Sequence, residues 1–214
     1  MTTSTSKAGP GPSILLVAAT EAEIAAMRPT LGARVHALVT GVGMVATAAR
    51  CARALAQRRY DFALNVGVCG SFDPSLGPGT VVHVVRDRIA ELGAEDGAAF
   101  LTVADLGLPA DPVFVNADPP PNAGLHGLPN VDGITVNTVH GCDESIADVI
   151  ARFEPQIETM EGAGFMCACL DAGVPFAQVR AVSNVVERRN RSAWQIDQAL
   201  ATLTDAAARI LEHA

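Results

Sequence analysis

Two carboxylates, Glu158 and Glu161, stand directly before a segment that is apolar without interruption from Ala163 to Leu170. A charge entering so apolar a run has to be paired or functional, because burying it alone is costly. Helix capping accounts for one acid at such a place, but not for the combination with Met160 and a small-residue helix start. A second pair, Glu21 and Glu23, comes directly after the apolar run Ile14–Ala19. Carboxylates at a strand end occupy the crevice position of an open α/β sheet, and first-turn acids also serve the helix dipole, so both roles stay open. Ser183 and Asn184 close a third apolar run. They read as turn formers, or as ligands, since an asparagine amide offers a donor and an acceptor together and suits the edge of a heterocyclic base. Just beyond, Glu187-Arg188-Arg189-Asn190-Arg191 is the densest basic cluster of the chain, either a solvated loop or a local anion site.

Gly41-Val-Gly43-Met-Val-Ala46 formally matches the dinucleotide fingerprint. The acid that should close the next strand, about 20 residues on, is missing there: Asp61 opens that strand instead. A tight strand-to-helix turn is the better reading.

The elements that must position these residues emerge from apolar runs and punctuation. Ile14–Ala19 reads as a strand buried on both faces. Thr20 and Glu23 have capping-box spacing, opening a helix that Pro29 helps to end. Further strands are expected at Arg34–Val39, Phe62–Val68, Thr80–Val85, Ile134–Val139, Gln156–Thr159 and Pro175–Val182. Helices are expected from Gly43 to about Arg59, at Glu144–Phe153, at Gly162–Ala172 and at Ser192–His213. The proline-rich stretch from Asp105 to Asn130 reads as a long surface excursion. This alternation gives a three-layer α/β/α sandwich around a mixed central sheet, forming one domain over 13–214 behind a flexible tail at 1–12.

The chain has 214 residues, enough for one ordinary α/β domain. With 49% hydrophobic and 18% charged residues it can bury a sizeable core, which excludes wholesale disorder. A formal charge of −8 argues against a phosphate-backbone binder, and 4% aromatics argues against a base-stacking platform. Cys51, Cys69, Cys142, Cys167 and Cys169 lack paired zinc-ligand spacing and read as buried structural thiols. A helix would turn Cys167 and Cys169 to different faces. No metal and no organic cofactor is expected. Neither a signal-peptide core nor a run long enough to span a bilayer is evident, so a cytoplasmic protein without membrane contacts is expected.

Taken together, Ala18-Ala-Thr-Glu-Ala-Glu23, Thr40-Gly-Val-Gly43, Asn65-Val-Gly-Val-Cys-Gly70, Met160-Glu-Gly-Ala163 and Arg180-Ala-Val-Ser-Asn184 resemble the purine nucleoside phosphorylase superfamily. The resemblance lies with its nucleosidase branch, the methylthioadenosine/adenosylhomocysteine nucleosidases and futalosine hydrolases, and covers nearly the whole chain. It implies that Glu23 activates the attacking water, that Glu161 holds the ribose hydroxyls and that Met160 packs on the sugar. Asn184 stands where the adenine-specific nucleosidases have an aspartate that protonates purine N7. An asparagine NH₂ can instead donate to O6 of hypoxanthine or to N7. Around Glu158-Thr-Met-Glu161 and Val185–Trp194 the chain looks most like the futalosine hydrolases. That similarity implies a 5′-modified inosine with a carboxylate, a homodimer or larger assembly, and Cys69, Gly70 and Ser183 at the ligand. Arg188, Arg189 or Arg191 would meet the carboxylate, with Arg189 and Arg191 favoured. Phe72, His140 and the proline-rich excursion are candidates for closing the 5′ pocket, and Thr138–Cys142 for backbone contacts to the base.

The residue types fit this chemistry. Glycosidic cleavage through an oxocarbenium-like state needs a base for water, an anchor for the sugar and a donor at the leaving base. A phosphorylase would need cations or a nest for phosphate beside the first strand, where Glu21 and Glu23 would repel it.

Overall fold

The computed structural model describes residues 12–97, 99–109 and 112–214; residues 1–11 of the expected tail lie outside the described residues. The first strand, β1 (Ile14–Ala18), runs parallel to β2 (Val35–Val39) on one side and to β3 (Phe62–Ser71) on the other. Its side chains alternate between two cores, as a strand covered on both faces requires. Ile14, Leu16 and Ala18 face one core, and Leu15 and Val17 the other. Between β2 and β3 lies helix α1 (Met44–Gln57).

Strand β4 (Val81–Ile89) is followed by a hairpin of β5 (Gly93–Asp96) and β6 (Ala99–Thr102), then by β7 (Val113–Val115), which pairs antiparallel with β4. The remaining elements are β8 (Asn130–Thr135), α2 (Asp143–Phe153), β9 (Ile157–Thr159), α3 (Gly162–Ala172), β10 (Phe176–Val185) and α4 (Ile196–Glu212). The sheet order is β10-β4-β8-β9-β3-β1-β2, and β3 also pairs with β10. Five strands therefore close into a ring, with β1 and β2 extending from it. Leu203, Ala207 and Ile210 of α4 cover one face; Cys51 of α1 and Phe165, Met166 and Cys169 of α3 cover the other. The mixed sheet and its flanking helices are those expected.

A buried polar network fixes the start of α3. The Asp87 carboxylate, 0% exposed, accepts hydrogen bonds from Gln178 Nε2 (2.9 Å) and Thr135 Oγ1 (2.8 Å). Thr135 Oγ1 accepts the N–H of Ala163 (2.8 Å), and Thr159 Oγ1 accepts that of Gly162 (3.2 Å). Two of the N–H groups that a helix start leaves orphaned are thus satisfied by threonines from β8 and β9. A Cβ on Gly162 would collide with Asp87 Oδ2 and Gln178 Nε2, so only glycine lets the helix begin this close.

Local chemistry departs from expectation in several places. Thr20 and Glu23 do form the capping box, but it opens two 3-10 turns, Glu21–Glu23 and Arg28–Thr30, in place of one helix, with Pro29 inside the second turn. Proline at the start of a short turn sacrifices no hydrogen bond. Strands β3 and β10 run three residues past their expected ends because each pairs with the other there. The last helix begins at Ile196, after a 3-10 turn at Arg191–Ala193. The excursion from Asp105 to Asn130 is stitched inward: Asn116 Nδ2 donates to Phe176 O (2.8 Å) and Asn122 Nδ2 to Ile210 O (2.9 Å). Asn116, Asn122 and Leu125 are buried, which the proline content of the excursion conceals. Cys51, Cys69 and Cys169 are buried, whereas Cys142 and Cys167 are exposed, Cys167 because α3 turns it away from Cys169.

Burial raises the Asp87 carboxyl from 3.8 to about 6, against the lowering effect of its Gln178 and Thr135 hydrogen bonds. A raised acid contributes stability at low pH and loses that contribution as pH climbs through the folded value. Relative to Asp87→Asn, the wild-type protein is expected to gain on the order of 3 kcal/mol of unfolding free energy between pH 7 and pH 4. Denaturant melts of both proteins across that range measure the difference; a pH-independent gap would show that Asp87 does not titrate there.

Candidate active site

The turn that enters α1 has the backbone of an anion cradle, with Gly43 at φ 103°, a value L side chains avoid. The group it receives is the protein's own: Gly43 N–H donates to Glu161 Oε1 at 2.9 Å. Glu161 is the residue preceding the first turn of α3, and the threonine network beneath that turn sets its direction. Burial pushes the Glu161 carboxyl above its usual range, opposed by the Gly43 N–H and the charge of Arg180, and supported by the nearby charge of Glu23.

Glu23 approaches from the end of β1. Its Oε2 accepts the Thr20 N–H (2.8 Å) and the Thr20 hydroxyl (2.9 Å), and its Oε1 accepts Val68 N–H at 3.2 Å. A Cβ on Gly67 would lie 2.8 Å from Glu23 Oε1 and 3.6 Å from Arg180 Nε, so glycine leaves room for both. Glu21, by contrast, points outward and is paired with Arg28.

The place of Arg180 in a strand does not by itself assign it a role, although a charge inside so apolar a run is an available signal. It is 1% exposed and donates to Val179 O (3.0 Å) and to the Asn65 amide oxygen. Its Nε has no hydrogen-bond partner among the described residues. An unpaired buried donor beside a carboxylate is a natural place for a polar ligand atom or water.

Strand β10 carries a bulge where it matters. Val182 pairs with Cys69 and Asn184 with Gly70, leaving Ser183 as the extra residue. Bulges re-aim side chains: Ser183 Oγ donates to Asn184 Oδ1 (2.8 Å) and lies 3.1 Å from Cys69 O, while Asn184 Nδ2 donates to Val185 O (2.9 Å). That leaves one amide hydrogen of Asn184 available.

These elements enclose a cleft of about 310 Å³. Glu23, Cys69, Gly70, Met160, Glu161, Ser183 and Asn184 all line it, drawn from the 3-10 turn after β1, from β3 and β10, and from the segment between β9 and α3. Burial pushes the Cys69 thiol up to about 12, so it lines the cleft as a neutral group. Val42, Trp194, Ile196 and Leu200 add an apolar wall that spacing in the sequence does not reveal. Glu158 is also present, with His140 Nδ1 2.6 Å from its Oε2 and Phe72 edge-on to the His140 ring.

The arginines are not brought to the lining. Arg188 pairs with Asp143 (2.6 Å) on the surface. Arg189 sits over the ring of Trp194, 5.4 Å from its centroid, one layer behind the cleft wall. Arg191 is exposed in the 3-10 turn before α4.

Among the described residues no helix is long and apolar enough to cross a membrane. The model of the phosphorylase superfamily matches residues 17–214. Futalosine hydrolase of Streptomyces coelicolor is 37% identical over 185 residues, covering 81% of this chain and 77% of that protein. The 5′-methylthioadenosine/S-adenosylhomocysteine nucleosidase of Colwellia psychrerythraea is 29% identical over 180 residues, covering 77% and 72%. In fold, the chain is similar to the corresponding nucleosidase of Neisseria meningitidis, solved with methylthio-immucillin-A, with a TM-score of 0.78, 18% identity, and coverage of 94% of this chain and 99% of that one. The chain therefore belongs to the phosphorylase superfamily and, within it, to the futalosine hydrolases, hydrolytic enzymes of the nucleosidase type.

Proposed function

We propose that the protein hydrolyses the N-glycosidic bond of futalosine, a 5′-modified inosine, releasing hypoxanthine in the service of menaquinone synthesis. The observation that carries this reading is the convergence of Glu23, Glu161, Met160 and Asn184 on one cleft from separate parts of the chain. Glu23, held by Thr20 and Val68 with the Arg180 guanidinium behind it, takes the proton of the attacking water. General-base help of this kind contributes about 10²–10⁴-fold. Glu161, fixed by the Gly43 N–H, accepts the ribose hydroxyls, and its negative charge favours the cationic sugar of the transition state. Met160 packs against the sugar. Asn184 donates its free amide hydrogen to the departing purine, with Ser183 setting the amide's orientation.

Water is the nucleophile in this scheme because the backbone donors that could cradle a phosphate are spent on the protein's own carboxylates: Gly43 on Glu161 and Val68 on Glu23. Two acids facing the same space would also repel phosphate. The apolar wall of Trp194, Ile196, Leu200 and Val42 suits an aromatic 5′ substituent. Arg189, stacked behind Trp194, and Arg191 are the cations proposed to meet its carboxylate. Val42, in the turn before α1, and Val45, in the first turn of that helix, are 57% and 77% exposed, in keeping with the proposed homodimer or larger assembly covering this edge. No metal or organic cofactor enters the scheme. The similarity to methylthioadenosine-type nucleosidases supports one rival, in which adenine is the base released.

Incubation with futalosine, inosine and methylthioadenosine, with and without phosphate, is expected to release hypoxanthine from futalosine at a rate unaffected by phosphate. Adenine release from methylthioadenosine in preference, or a phosphate requirement, would overturn the assignment; both are read by chromatography of the freed base. Glu23→Gln is expected to lower kcat by about 10²–10⁴-fold with KM changed far less, measured under saturating futalosine. Gly67→Ala, whose new methyl displaces only the Glu23 carboxylate, is expected to cut kcat at least tenfold while Tm moves by no more than about 3 °C. Substituting Arg189 and Arg191 by Met is expected to raise KM for futalosine but not for inosine, which lacks the carboxylate.

A further inference from the structure

Glu158 is the carboxylate of the cleft that the hydrolytic scheme leaves without a task. It is 4% exposed, and His140 holds it from one side. The His140 backbone N–H lies 3.2 Å from Oε1 and 3.3 Å from Oε2, and its Nδ1 lies 2.6 Å from Oε2. An ionised carboxylate only accepts, so Nδ1 carries the hydrogen in that contact. Oε2 thereby takes the shorter bond, and Oε1 keeps acceptor capacity to spare. Phe72, edge-on to the His140 ring at 6.1 Å, restricts the imidazole further.

The strand register places this acceptor with respect to Asn184. Gly70 in β3 is opposite Glu158 in β9 and opposite Asn184 in β10. Directly opposed residues project to the same face, so the two side chains flank a bare glycine across two strand spacings, roughly 9.5 Å of backbone. A Cβ on Gly70 would lie 3.4 Å from Asn184 Nδ2, 3.4 Å from Glu158 Cγ and 2.8 Å from Val186 Cγ2. The Asn184 amide, the stem of the Glu158 side chain and an apolar methyl thus converge over one glycine, and both polar residues line the cleft.

The six-membered ring of a 6-oxopurine presents a carbonyl acceptor at C6 beside an N–H donor at N1. Adenine presents the reverse, an amino donor at C6 beside an N1 lone pair. A donor next to an acceptor complements the first and leaves adenine N1 facing a carboxylate. We infer that Glu158, positioned by His140, is a specificity-determining residue that accepts the N1–H of hypoxanthine while Asn184 serves O6 or N7. The inference rests on the placement of the purine at Asn184 proposed above, and it makes base selection a paired readout. A site built to bond a polar edge rejects ligands that leave its groups unpaired.

Calorimetric binding of the free bases tests this without requiring turnover. The wild-type protein is expected to bind hypoxanthine at least tenfold more tightly than 1-methylhypoxanthine or adenine. In Glu158→Gln the amide oxygen is drawn to the His140 donors, turning NH₂ toward the base as a donor against a donor. Hypoxanthine should then weaken at least tenfold while adenine weakens less than threefold or gains. The inference is overturned if the wild-type protein binds hypoxanthine and 1-methylhypoxanthine within threefold of each other, a comparison that stands even should the variant fail to fold. It is equally overturned if Glu158→Gln weakens both bases in parallel. Futalosine hydrolysis measured on the same wild-type sample separates the two readings: base selectivity without hydrolysis removes the proposed reaction and leaves the role of Glu158 in place.

Discussion

The bond from Gly43 N–H to Glu161 Oε1 joins two segments 118 residues apart, and the site depends on it. It closes the turn before α1 onto the residue before α3, the two helices that pack side by side over one sheet face. It also uses the positive end of a helix start to favour the ionised form of a carboxylate that burial disfavours. An internal anion in that turn leaves no seat for an external one. The same feature that orders Glu161 thereby leaves the turn closed to an external phosphate.

A buried guanidinium and several acids share this small volume. Arg180 favours the ionised forms of Asp87 and Glu161, while the charge of Glu23 works against that of Glu161. Such a cluster is stable only as a set, because removing one member leaves another charge uncompensated. The threonine hydroxyls at positions 135 and 159 complete it by holding the α3 start, so that the geometry of the cleft and the polarity of the core are parts of one network.

Much of this is legible in the chain because it is written in local signals. Among the described residues, apolar runs and their breaks mark every main helix and seven of the ten strands, although β8 runs from Asn130 to Thr135 where Ile134–Val139 is expected, and acids set against an apolar helix mark Glu161. What local signals do not show is pairing. The extensions of β3 and β10 exist because each strand supplies partners for the other, with β9 pairing the end of β3 as well, and the Ser183 bulge depends on register between β3 and β10. The hairpin of β5 and β6 and the short β7 lack apolar runs long enough to announce themselves. The tertiary role of Asn116 and Asn122, and the burial of Arg180, come from partners 60, 88 and 115 residues away. Glu158 is chemically unusual already as a residue type in its place, but spacing does not identify its partner His140.

Ring closure of β3, β9, β8, β4 and β10 has a consequence for self-association. An open sheet offers unpaired strand edges on both flanks, and each is a template for adding a strand from another molecule. Here the flank that carries the cleft has been folded back into the sheet, so the main-chain groups of β3 and β10 beside Gly70 are already spent on each other. That flank is thereby closed to strand addition, and among the described residues the open edges of the main sheet lie at β2 and the three-residue β7.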